Sequence, residues 1–256
     1  MIRIERRDAI AVVTFDRPAA RNAMTFAMWE TLRREALGLA ADAALRAVVF
    51  TGADGRAFVS GTDIAEFLTL GSGADGIAYE HRIEAAIDAL ERIPVPTVAA
   101  IAGACTGGGV SIAGACDLRI GAPSARVGIP IARTLGNCLS QRNVARLAAL
   151  IGLDRARALL LTAELLDAPA ALRAGFLSEL VDEEDALLPR ALAQAEACTR
   201  LAPLTLRASK EMARRLRDAL ALPADDDLVA RCYASGDFRD AVRAFVAKRA
   251  PDWTGT

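Results

Sequence analysis

The chain has one histidine, His81, among 256 residues, and two lysines, Lys210 and Lys248. A single histidine excludes a histidine-rich metal site and argues against zinc, and any Ser/His/Asp machinery would have to run through that residue. The five cysteines, at 105, 116, 138, 198 and 232, are odd in number, widely spread and without a CxxC pair. They predict reduced thiols in a cytoplasmic protein rather than a disulfide framework. Aromatic residues make up 5% of the chain and the formal net charge is −1, so there is no electrostatic footprint for nucleic acid or an anionic membrane. The opening residues, MIRIERRDAIAVV, put charges where an export signal needs its apolar segment. Basic positions are nearly all arginine, as a GC-rich genome would give, so a retained lysine hints at a specific role.

What is present centres on one stretch, PVPTVAAIAGACTGGGVSIAGACD, from Pro94 to Asp117, uncharged as far as Cys116. It reads as a buried strand at 97–101, a turn at Gly107, Gly108 and Gly109, and a helix entered directly from that turn. Three glycines let backbone approach a ligand closely, and the first amides of the helix are unpaired donors at the positive end of its dipole. Such a corner suits a developing negative charge. The run is only weakly apolar and lacks basic flanks, against a membrane span. No Lys-Ser or Lys-Thr pair follows, and the glycine spacing is not that of a dinucleotide fold. Plain packing remains the alternative at this point.

Along the rest of the chain, 2–6 and 10–16 alternate as a hairpin that turns at Arg7-Asp8, and Arg17-Pro18 stops the second strand. Thr25 caps a helix running to about Ala40, and 45–51 is an apolar strand buried on both faces. Glycines at 52, 55 and 61 precede a short helix near Asp63. Residues 71–76 are glycine-rich and expected to be mobile, with a helix at 77–93 after them. A strand at 117–120, a loop through Asn137, helices near 138–150, 154–161 and 167–174, and a strand at 177–181 complete residues 1–184. From 185 to 256 the pattern is helical throughout. The expectation is an α/β core at 1–184 with a helical region at 185–256.

Several segments together resemble the crotonase superfamily, the enoyl-CoA hydratase/isomerase group. They are Arg17-Pro18 with Asn22-Ala23-Met24, Ala57 to Ile64, Pro96 to Ile101 through Gly107-Gly108-Gly109, Cys116-Asp117-Leu118, and Ser235 to Phe238 through Ala244-Phe245 and Lys248-Arg249. The resemblance implies a core of repeated ββα units, a C-terminal helical region that mediates trimer formation, often a dimer of trimers, and a coenzyme A thioester as substrate. It implies no metal or redox cofactor. It places a thioester-polarising pair of backbone amides at Thr62 and Gly108, where the side chain at 62 would matter little. Arg21, Ala23, Ser60, Gly61, Asp63 and Ile64 would lie along the pantetheine and adenine. Phe245 and Lys248 would reach the nucleotide end, or else pack and face solvent respectively.

The resemblance also implies two catalytic glutamates, and the matching positions hold Ser111 and Ile131. A base displaced to the helix at 77–93 is the alternative, with Glu84 the leading candidate and His81 one turn earlier on the same face; the bland reading of Glu84 is a solvated helix residue. Ser111 would position a water. Arg133 and Asn137 are candidates for the pocket or its loop. Cys138 is either a nucleophile at a helix start or a small buried residue. The functional expectation is an acyl-CoA hydratase or isomerase; the alternatives are a non-catalytic acyl-CoA-binding protein and a thioester hydrolase or dehalogenase.

Overall fold

In the computed structural model, residues 1–219 and 222–256 are described. The chain opens with β1 (Ile2–Arg7) and β2 (Ile10–Phe15), the expected hairpin, with Asp8 in the left-handed region at its turn. Helix α1 (Phe26–Ala41) starts where Thr25 accepts a hydrogen bond from the Met28 amide. Then come β3 (Ala47–Gly52), β4 (Ala57–Val59), a 3₁₀ segment at Ile64–Thr69 capped by Asp63, and α2 (Gly73–Glu91).

The central stretch is β5 (Thr97–Ile101), β6 (Ala104–Thr106) and α3 (Gly108–Ala115), so the uncharged run is two strands and a short helix. Among the described residues no helix is long and apolar enough to cross a membrane. After it lie β7 (Leu118–Gly121), β8 (Arg126–Gly128), the single turn α4 (Ile131–Thr134), α5 (Gln141–Ile151), α6 (Leu153–Thr162), β9 (Leu165–Asp167), α7 (Ala168–Arg173) and β10 (Glu179–Leu180). The remainder is helical: α8 (Leu187–Thr199), α9 (Pro203–Asp218), α10 (Asp226–Tyr233) and α11 (Gly236–Val246).

One sheet has the order β1-β2-β3-β5-β7-β10, parallel from β2 onward; the other is β4-β6-β8-β9, parallel except for β9. Strands β3, β5 and β7 each pass directly to a short partner in the second sheet, so the ββ part of each unit folds as a step from one sheet to the other. Alternate residues of β5 then serve two cores. Ala99 and Ile101 join α1 and α2 on one face, while Val98 and Ala100 meet Leu187, Ala191 and Ala195 of α8 on the other. Lys210 of α9 donates to Val95 O at 2.8 Å and pairs with Asp117, whose carboxylate also takes the Thr97 amide and hydroxyl. This lysine does have a specific role, since it ties α9 to the starts of β5 and β7.

Three expectations change. Residues 71–76, expected to be mobile, are the cap and first turn of α2: Ser72 accepts from the Asp75 amide, and Gly76 is buried. The loop through Asn137 contains β8 and α4, and β9 falls between two predicted helices. These strands have three residues each, too few to show alternation.

The glycine at 76 is a packing requirement, because a Cβ there would stand 2.3 Å from Tyr233 Cγ of α10. Gly76→Ala should therefore destabilise the fold by about 1–3 kcal/mol through overpacking. Chemical denaturation reads it; an unchanged midpoint would show that α2 and α10 are not in this contact.

Candidate active site

Two backbone turns meet at one end of a cavity. After β4 the chain passes through Gly61, at φ 107°, where Met24 N–H donates to Gly61 O and Asp63 N–H donates to Met24 O, each at 2.8 Å. This holds Thr62 in a parallel bridge with Met24, and its own amide has no backbone acceptor among the described residues. Opposite, β6 runs into Gly107 at φ 53°, a conformation that favours glycine, whose N–H donates to Gly128 O at 3.0 Å. Gly108 begins α3 and its amide is likewise unpaired among the described residues, at the positive end of the helix. A Cβ on Gly61 would lie 4.0 Å from Gly108 N, so the two free donors are neighbours.

The Thr62 side chain matters more than expected. Its Oγ1 accepts from Trp29 Nε1 at 3.0 Å and shares a hydrogen bond with the Tyr79 hydroxyl at 2.7 Å, joining α1 and α2 behind the amide pair.

The cavity, about 540 Å³, brings most of the predicted site together. Arg21, Ala23, Ser60, Gly61, Asp63 and Ile64 line one wall, Gly108 and the buried Ser111 the next, and Ile131 and Asn137 another; Phe245 stands exposed at its rim. Asn22 props the first wall, with its amide donating to Ala53 O and Ala57 O while Oδ1 accepts from the Arg17 amide. Lys248 is exposed and does not line the cavity, and the same holds for Arg133.

Glu84 is also displaced. It lies on a separate depression with Arg142, Arg146 and Arg217, because α2 turns that residue toward α5 and α9; His81 faces outward, 3.4 Å from Asp226. The carboxyl that α2 brings to the cavity is Glu80, 5% exposed. One turn along the helix from Glu84, its neighbours Tyr79 and Ile83 line the cavity too. Tyr233 donates to Glu80 Oε1 at 2.7 Å and itself accepts from Asn137 Nδ2 at 3.0 Å. Burial pushes the Glu80 carboxyl up to about 7, against the downward pull of the Tyr233 and Ser140 donors. The other cavity carboxylate, Asp63, is 2.7 Å from Arg17. Glu80 was legible only as the polar member of an apolar helix face, one turn before the residue favoured from sequence.

Cys138 does not line the cavity and lies ahead of α5. A hydrogen bond with Cys232, then burial, raise its thiol far above the usual range, which removes the thiolate a nucleophile needs.

The profile of the family described as Enoyl-CoA hydratase/isomerase matches residues 5–256. A Mycobacterium tuberculosis protein named "Probable enoyl-CoA hydratase echA6" is 35% identical over all of this chain and all of its own length. The crystal structure of an enoyl-CoA hydratase/carnithine racemase from Magnetospirillum magneticum has a TM-score of 0.82 at 32% identity, covering 100% of this chain and 96% of the other. That of a monofunctional enoyl-CoA isomerase from M. smegmatis has a TM-score of 0.72 at 29% identity, covering 86% and 95%.

The raised pKa of Glu80 is also a statement about stability. Moving from 4.5 to about 7 on folding, the group favours the folded chain most below pH 4.5, and that contribution is lost as pH rises through 7. Glu80→Gln, which can still accept from Tyr233, should be more stable than the parent by about 3 kcal/mol at most above pH 7, with the difference closing near pH 4. Denaturation midpoints at the two ends of this window test it; a pH-independent difference would show that Glu80 titrates normally.

Proposed function

The chain belongs to the enoyl-CoA hydratase/isomerase family, and on that footing we propose that it moves a double bond within an unsaturated acyl-CoA by proton transfer, with Glu80 as the single acid–base group. The observation that carries this reading is the position of Glu80: a buried carboxyl in the cavity that holds the free amides, with no cation paired to it among the described residues. The thioester oxygen accepts from the amides of Thr62 and Gly108. Ionised Glu80 removes a proton from the carbon next to the thioester carbonyl, the electron pair passes into the enolate stabilised by those amides, and the resulting carboxylic acid returns the proton two carbons further along. One carboxyl begins and ends the cycle ionised. Each preorganised amide is worth about 3 to 4 kcal/mol in such a step. A pKa near neutrality suits a group that must both take and return a proton.

Addition of water asks for a second group to hold the water, and Ser111 and Ile131 supply no carboxylate, which favours isomerisation over hydration. The same two residues support the second reading, a protein that binds acyl-CoA without converting it. In either case the walls at Arg21 to Ala23 and Ser60 to Ile64 would hold the pantetheine arm, with Phe245 at the mouth. The reading includes a cytoplasmic protein, supported by five unpaired cysteines, and a homotrimer or homohexamer. Support for the latter is an exposed apolar stripe on α9, where Leu204, Met212 and Leu216 recur at multiples of four.

With a 3-enoyl-CoA as substrate, Glu80→Gln should lower kcat by a factor of about 100 or more while leaving the affinity for a saturated acyl-CoA within a few-fold, and Glu84→Gln should behave as the parent. Binding without turnover in the parent chain would favour the second reading; full activity in Glu80→Gln would end the first. Light scattering of the purified protein should give three or six times 26.9 kDa.

A further inference from the structure

The proton-transfer reading leaves one structural question open: what sets the geometry and acidity of Glu80. The group lies between elements far apart in the chain. Tyr233, 1% exposed at the end of α10, places its hydroxyl 2.7 Å from Glu80 Oε1. Asn137, in the segment between α4 and α5, places Nδ2 3.0 Å from the same hydroxyl. A phenol has one proton and lone pairs to accept with, so the three groups form a directed chain: Asn137 N–H to Tyr233 oxygen, Tyr233 O–H to Glu80. That order also settles the amide's orientation, since turning it over would set an acceptor against an oxygen whose only proton is already committed.

We infer that Tyr233 is the positioning residue of the acid–base group, its hydroxyl holding Glu80 Oε1 and favouring the carboxylate, with Asn137 holding Tyr233 in turn. Glu80 Oε2 takes no side-chain hydrogen bond among the described residues and is the oxygen that Tyr233 leaves unheld. With Glu80 ionised, Asn137 Oδ1 is a buried acceptor with no partner among the described residues.

Of the other groups facing Glu80, Glu84 on the same helix and Asp225 just before α10 raise its pKa, the Ser140 amide ahead of α5 lowers it as the hydroxyl does, and Cys138 and Tyr79 are un-ionised neighbours. Tyr233 is thus the side-chain donor that counters burial.

This inference rests on Glu80 being the acid–base group, and its test is arranged to be readable without turnover. Tyr233→Phe deletes the hydroxyl and leaves the ring packed on Phe238, Tyr79 and Phe67, at centroid distances of 4.8, 5.9 and 6.5 Å. With ¹³C-carboxyl-labelled glutamate, the Glu80 signal is identified by its loss in Glu80→Gln and titrated in the parent and in Tyr233→Phe. The expected result is a midpoint raised by about one to two pH units in Tyr233→Phe, because a hydrogen bond to the charged form has gone. The acidic limb of the kcat/KM profile with a 3-enoyl-CoA should move by the same amount. A Glu80 midpoint that stays in place overturns the inference, as does a rate lowered equally at every pH, the mark of a structural role alone. If the carboxyl titration shifts and no turnover is found in the parent, the positioning stands and the isomerase reading fails.

Discussion

Two stretches of backbone approach each other so closely that side chains are excluded, and this contact governs what the rest of the molecule can be. A Cβ on Gly109 of α3 would lie 2.1 Å from Val59 O of β4, and one on Gly108 would lie 2.7 Å from Trp29 Cζ2, while Gly61 and Gly107 turn at positive φ. The step from the first sheet to the second brings β4 and β6 side by side, and the register between those strands fixes where the two turns meet. Trp29 of α1 and Tyr79 of α2 grip Thr62 from behind, so two helices that serve the core also hold the amide pair. Donors on rigid main chain need no reorganisation when charge develops beside them.

The main-chain part of this arrangement was legible in the amino-acid sequence because glycine restricts interpretation: Gly107-Gly108-Gly109 after an apolar strand has few structural uses. The β2 and β3 strands, the Thr25 cap and the C-terminal helices were readable from alternation, capping chemistry and period. Strands β6, β8 and β9 were not, since three residues carry no periodic signal and their pairing is set by the neighbouring sheet. Glu80 and Glu84 are one turn apart on a helix with apolar residues around much of its surface. Which of them faces the cavity depends on how α2 is rotated by Tyr233, Gly76 and α1, and Tyr233 lies far along the chain from the helix it orients. The same holds for Lys248: its place after α11 is clear from the sequence, but its left-handed backbone and outward side chain are set by how that helix ends.

The C-terminal helices complete parts of the molecule that the strands leave unfinished. Helix α8 covers the second face of the main sheet, α9 is tied to it through Lys210 and Asp117, and α11 sets Phe245 at the cavity mouth. In the first two cases an apolar or charged group of the first part of the chain would otherwise face water, and a later helix covers it.

The hydrogen bond between Tyr233 and Glu80 spans 153 positions. During synthesis the amide pair and the helix bearing Glu80 emerge long before α10 exists, and until α10 docks that carboxyl is hydrated and titrates as an ordinary glutamate. A nascent chain therefore presents the free amide pair before the buried carboxyl beside it has its tyrosine partner. The cavity acquires its full lining only at the end of translation, when the final helices close over a scaffold already in place.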